Sequence, residues 1–226
     1  MSVSFFSALA IKKALDDTIL PAFQKETGIV VDGVFEPTKA LLRRIEDGAR
    51  PDVLVGVTAT VSALGGSGLV AADSIREVAS VGIGIAVAPD GDSSDISTVD
   101  ALIATLRSAR SVAYSRTGAS GIYFAQLMEK LGIADEVNAR ATVIEQGFTA
   151  LAIVDGRADL AIQQLSELLF VPGVRIVGPL PADVQHRTEF SAATGVRASE
   201  SAVKLLDALT GEHAMCAYEA AGLTRP

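Results

Sequence analysis

The feature that most constrains this chain is a regular alternation between short apolar runs and helix-spaced segments that stop at glycines. Val3–Phe6, Ile29–Phe35 and Val53–Val57 read as strands. Between the first two, Ile11, Ala14, Leu15 and Ile19 recur at helical spacing, with Pro21 kinking or restarting the helix and Gly28 ending it. Between the second and third, Thr38 is placed to cap a helix that buries Leu41, Leu42 and Ile45 before Gly48. Strands separated by helices in this way form a parallel sheet with right-handed crossovers, so the fold class is α/β.

The alternation then restarts. Val81–Ala88 is a strand that runs into the turn-rich Pro89-Asp90-Gly91-Asp92-Ser93-Ser94, and a helix follows on Val99, Leu102, Ile103 and Leu106. Ser111–Ser115, Ala141–Gln146 and Asp159–Gln164 read as strands, with helices over Ser120–Leu131 and Phe148–Asp155 ending at Gly132 and Gly156. Val174–Val177 and Phe190–Val196 are further strands. Two helices close the chain, one on Val203, Leu206 and Leu209, the other on Ala214, Ala217, Tyr218 and Ala221.

Composition removes several classes of function. With 226 residues, 49% of them hydrophobic, the chain supports one sizeable domain or two small ones and is not disordered. Nineteen basic against 27 acidic residues give a net charge of −8, which argues against nucleic acid or an anionic membrane surface as partner. No apolar run reaches the ~20 residues needed to span a bilayer, so no membrane insertion is expected. Val3–Ile11 precedes Lys12 and Lys13, the reverse of an export signal, so the chain as written is expected in the cytoplasm, or in the periplasm if a signal peptide was removed. A single cysteine, Cys216, and two histidines, His186 and His213, offer no metal-ligand cluster, and neither G-x-G-x-x-G nor a P-loop follows the first strand; no cofactor and no metal are expected.

Several segments together resemble the molybdate-binding-type members of the type II periplasmic binding proteins. They are Ala22-Phe23-Gln24-Lys25-Glu26-Thr27-Gly28-Ile29, Arg44 through Val53, Tyr114-Ser115 through Gly118-Ala119-Ser120-Gly121-Ile122-Tyr123, and Ile176-Val177-Gly178-Pro179-Leu180-Pro181. Their order and spacing cover almost the whole chain. The resemblance implies two lobes, each a mostly parallel sheet flanked by helices, with a small ligand held between them. It implies residues 1–80 with 195–226 as the first lobe and 81–194 as the second, with Val81–Ala88 and Phe190–Val196 as hinge strands.

Ligands of open α/β sheets bind beyond the carboxyl ends of strands, close to helix N-termini. That places Ser7, Ala8, Ala10, Glu36, Thr38, Lys39 and Thr58 of the first lobe, and Ser115, Ser120, Gly121, Glu145, Gln146 and Gln164 of the second, as candidates. The set departs from the oxyanion pattern that the resemblance implies. The family's binding serine falls on Ala10, its small Ser/Gly cluster is replaced by Glu36-Pro37-Thr38-Lys39, and its tyrosine falls on Gln164. A lysine that can form a charge-assisted bond and a glutamine that both donates and accepts suit a small organic carboxylate better than molybdate.

Four functions follow. The leading one is binding of a small organic anion, with delivery to a transporter if an exported form exists. The second is a cytoplasmic isomerase, resembling aconitate isomerases of the same fold, that shifts a proton within a di- or tricarboxylate; Glu36, Lys39 and Glu145 are then the catalytic candidates. Oxyanion binding for transport, and sensing or sequestration of the ligand, complete the set. His186 and His213 read as solvated, and Cys216 as a small packing residue.

Overall fold

The computed structural model describes residues 2–91 and 95–226. Asp92, Ser93 and Ser94, the tip of the turn read from the sequence, lie outside the described residues. The chain divides into two units, residues 1–81 with 188–226 and residues 82–187.

In the first unit, β1 (Ser2–Ser7) leads through a 3-10 turn (Leu9–Ile11) into α1 (Lys12–Ala14), a π-helical turn (Leu15–Ile19) and α2 (Leu20–Thr27). Pro21 falls at the start of α2, directly after the π turn, which absorbs the backbone bond that proline has no N–H to make. Gly28 ends α2 in the left-handed region (φ 68°), as its missing Cβ allows. Then come β2 (Val30–Phe35), α3 (Thr38–Glu46), β3 (Val53–Val57) and α4 (Thr58–Gly66). β1 pairs in parallel with both β2 and β3, giving the order β2-β1-β3. On one face of that sheet Phe6 and Leu54 meet Leu41 and Ile45 of α3 and Val61 and Leu64 of α4.

β4 (Arg76–Val87) runs from the first unit into the second. The second unit continues with α5 (Val99–Ser108), β5 (Val112–Ser115), α6 (Ala119–Lys130), α7 (Ala134–Asn138), β6 (Thr142–Ile144), α8 (Leu151–Val154), β7 (Leu160–Gln164), α9 (Leu165–Leu168) and β8 (Arg175–Pro179). β5 is parallel to β6 and β7, while β4 is antiparallel to β7 and β8. Side-chain size alternates along these strands with the pleat. Ile85, Val112, Leu160 and Ile162 face Leu102 and Leu106 of α5 and Phe124 of α6, whereas Ala86, Ala113 and Ala161 face α8 and α9, where only small residues let the short helices approach. Leu102 and Leu106 are fully buried, each contributing about 1.5–3 kcal/mol over an exposed side chain.

β9 (Arg187–Thr194) returns the chain to the first unit, where it pairs antiparallel with β3, and α10 (Glu200–Thr210) and α11 (Glu212–Ala220) follow. In the first unit β9 thus runs antiparallel beside β3, and in the second β4 runs antiparallel to both β7 and β8. The second unit ends at Arg187, earlier than the sequence division at residue 194, because Phe190–Thr194 are hydrogen-bonded along β3. Among the described residues no helix is long and apolar enough to cross a membrane.

Candidate functional site

In the first unit the carboxyl ends of β1 and β2 lie level, and β3 runs two residues further, to Val57. Ser7 is paired with Phe35 on one side and Val55 on the other, the Ala8 amide donates to Val55 O at 2.9 Å, and the Glu36 amide donates to Ser7 O at 3.1 Å. Ser7 is fully buried and its hydroxyl donates to Ala8 O at 3.1 Å; Ala8 and Ala10 are buried and bring no polar side-chain atom. Pro37 occupies the N-cap of α3, so Thr38 is the first helical residue and does not cap it, contrary to the sequence reading. Its hydroxyl accepts instead from the Val57 amide at 3.2 Å, with the Thr38 methyl seated over Gly56, where a Cβ would come within 3.1 Å of it. Thr58 opens α4, and its hydroxyl lies 2.9 Å from that of Ser191, a fully buried residue of β9 that sequence reasoning did not single out. Lys39 is exposed in the first turn of α3.

Glu36 accepts both Nε and Nη2 of Arg44, at 2.8 and 2.5 Å. This guanidinium holds its carboxyl below the usual carboxylate range, which weakens it as a base. Glu145 of the second unit is likewise engaged, exposed and 2.6 Å from Arg116 Nε.

In the second unit Ser115 ends β5 and its hydroxyl accepts from the Gly118 amide at 2.9 Å, shaping the entry into α6. Ser120 and Gly121 lie buried in the first turn, and a Cβ on Gly121 would overlap the Ser115 carbonyl oxygen, so only glycine allows α6 to start this close to β5. The parallel register of β5 with β7 runs Val112 to Leu160 and Ala113 to Ala161; continued by two residues, it sets Ser115 level with Gln163. Gln164 is buried at the end of β7, and Gln146 is exposed beyond β6.

These strand ends share an electrostatic signature. Helix starts carry unpaired N–H groups and about half a positive charge, which solvated helices normally complement with a capping side chain and an acid in the first turn. α5 has Thr98 as cap and Asp100 in its first turn, and α10 has Ser199 and Glu200. α3, α4 and α6, the three that follow β2, β3 and β5, have no side-chain cap bond and no acid in the first turn. Among the described residues these three starts thus have neither a side-chain cap bond nor a first-turn acid to complement the dipole.

One ionisable group near β7 escaped the sequence reading. Glu167, in the one-turn α9, is 8% exposed, and burial pushes its carboxyl up to about 8 against the pull of hydrogen bonds from the Gln164 backbone and the Gln163 side chain. Its neighbour Ser166 has a buried hydroxyl with no hydrogen-bond partner among the described residues. A strand tail followed by a single turn leaves no periodicity by which to find either.

Elsewhere, His213 is exposed and His186 is exposed with its ring stacked 4.7 Å from that of Tyr123. Cys216 is exposed as well, so it is not the packing residue expected from its alanine neighbours; it lies on the outer face of α11 beside Arg225. Among the described residues no group of three His, Cys, Asp or Glu side chains could hold a metal ion.

The family model described as bacterial extracellular solute-binding protein matches residues 3–224. The chain is 34% identical over 213 residues to an aconitate isomerase of a Pseudomonas species, covering 91% of this chain and 81% of that protein. It is 26% identical over 243 residues to the Escherichia coli molybdate-binding protein ModA, covering 98% and 88%. The structure of the Azotobacter vinelandii periplasmic molybdate-binding protein superposes with a TM-score of 0.83 at 19% identity, covering 99% of each chain, and shares the fold. With a type II periplasmic-binding-protein fold and a family match along nearly its whole length, the chain belongs to the bacterial extracellular solute-binding proteins.

Proposed function

We propose that the protein binds a small organic carboxylate, a di- or tricarboxylate, through the helix starts at the strand ends. The observation that supports this is the contrast in helix N-termini: α3, α4 and α6 lack the caps and first-turn acids that α5 and α10 carry. Ser7, Ala8 and Ala10 at the end of β1 and Thr38, Lys39 and Thr58 are the candidates of the first unit, and Ser115, Ser120, Gly121, Gln146 and Gln164 those of the second. Carboxylate is favoured over molybdate because Ala10 has no hydroxyl and the exposed Lys39 adds a cation. In an exported form the same site would serve delivery of the ligand to a membrane transporter. Thermal shift across an anion panel tests the reading. A tricarboxylate at 100 times its Kd stabilises by about 2.7 kcal/mol, roughly 5–11 °C for a chain of this size. A response to molybdate or tungstate alone contradicts it.

The 34% identity to an aconitate isomerase supports a second reading, a proton shift on the bound acid. Here the base must come within hydrogen-bond reach of the proton removed. Glu36 and Glu145, both tied to arginines, have to leave those partners to serve, and Lys39 would stabilise developing charge. Incubation with cis- or trans-aconitate in deuterated buffer, read by proton NMR, decides between the two: interconversion with deuterium uptake marks an isomerase, binding without exchange a binding protein.

A further inference from the structure

The start of α4 is tied to the return strand β9 by a pair of hydroxyls, and burial decides which of the two donates. β3 and β9 run antiparallel with Gly56 opposite Ser191 and Val57 opposite Phe190. This register brings Ser191 to the junction of β3 and α4, where its hydroxyl oxygen lies 2.9 Å from that of Thr58. Ser191 is fully buried, and Thr58 is its one side-chain hydrogen-bond partner among the described residues.

The two directions are unequal. If Thr58 donated, the Ser191 proton would stay in the interior without an acceptor, at the full desolvation cost of that donor. If Ser191 donates, its proton is satisfied, and the unused proton belongs to Thr58, which is only half-buried. Thr38, at the start of α3, is in the same state: its oxygen accepts from the Val57 amide at 3.2 Å, and no acceptor among the described residues takes its proton. Ser7 differs, because its proton is spent on Ala8 O at 3.1 Å.

We propose that Ser191 is a positioning residue for the anion site: by donating to Thr58 Oγ1 it turns the Thr58 proton outward, to the ligand held at the start of α4. This rests on the anion-binding reading above. An ionised carboxylate only accepts hydrogen bonds, so a hydroxyl fixed as a donor matches it at all times and a freely rotating one only part of the time. Donation by Ser191 also polarises the Thr58 O–H, which strengthens the bond it makes to a charged acceptor. Ser191 itself, enclosed between the strand and the helix start, acts through Thr58 alone.

The test is a double-mutant cycle, read by titration calorimetry with cis-aconitate, on the wild-type protein, Ser191→Ala, Thr58→Val and the double variant. Thr58→Val should weaken binding roughly 10–100-fold, the range of a hydrogen bond to a charged group, and Ser191→Ala roughly 3–10-fold while Thr58 keeps its hydroxyl. In the Thr58→Val background Ser191→Ala should change affinity by less than about twofold, since the hydroxyl it orients is gone. Equal losses in both backgrounds, the mark of a merely structural serine, or no loss with Thr58 present, overturn the proposal. If cis-aconitate does not bind the wild-type protein, the carboxylate reading fails on its own, and melting without ligand decides about Ser191. Thr58→Val strands the buried Ser191 proton and should lower Tm by roughly 2–10 °C, and adding Ser191→Ala should recover most of that loss. A double variant that melts no higher than Thr58→Val overturns the donor direction and the positioning role with it.

Discussion

The starts of α5 and α10 and the starts of α3, α4 and α6 solve the same physical problem in opposite ways. Thr98 accepts from the Ala101 amide at 3.1 Å and Ser199 from the Ala202 amide at 3.2 Å, each with an acid in the first turn to meet the positive end of the dipole. At α3, Pro37 takes the cap position and the hydroxyl beside it turns to β3; at α4 the preceding residue is Val57; at α6 it is Gly118. Each uncapped start forgoes about 1 kcal/mol that a Ser, Thr, Asp or Asn would provide. All three follow the carboxyl ends of parallel strands. On the proposed function, helix stability is given up there because an incoming anion supplies the missing negative charge.

The largest effect that could break this contrast comes from the closest approach. Gly121→Ala drives a Cβ into the Ser115 carbonyl oxygen, so the start of α6 must move; the expected cost is about 3 kcal/mol in denaturant unfolding, with loss of the ligand-induced rise in Tm. An unchanged stability would show that α6 does not need its tight docking on β5. Next, Ala59→Glu converts α4 to the α10 pattern at an exposed first-turn position. Without ligand the variant should gain about 0.3–1 kcal/mol from the dipole, and it should bind tricarboxylate at least roughly tenfold more weakly, a loss of 1.4 kcal/mol. Gain of stability with full affinity would remove α4 from the site. Smallest, Thr98→Ala and Ser199→Ala should each cost about 1 kcal/mol, a fall of roughly 2–4 °C in Tm, while leaving ligand affinity as it was.

Much of this molecule is legible in its sequence, for reasons that also explain the gaps. Helix ends at Gly28, Gly132 and Gly156 are readable because each glycine takes a left-handed φ that other residues avoid. The strands of the second unit are readable because large residues alternate with alanine. α4 goes unread, since Thr58-Ala-Thr-Val-Ser-Ala-Leu-Gly-Gly shows only Val61 and Leu64 on its buried face and ends in two glycines. The first residues of β4 are hidden by the exposed Arg76 and Glu77, which break the apolar run before Val78. At the site, the strand-end residues follow from topology, but what they bond to does not. Whether Thr38 caps α3 or reaches Val57 depends on the space above Gly56, and the burial that neutralises Glu167 depends on β7 and β4 packing against one helical turn.

Amide chemical shifts test the central claim most directly. In a nitrogen-15 labelled sample titrated with cis-aconitate, the account predicts saturable shifts at residues 38–40, 58–60 and 118–121, the uncapped starts of α3, α4 and α6, and none at 99–101 or 200–202. Shifts confined to the capped helices, or spread evenly over the exposed lysines and arginines, would contradict it.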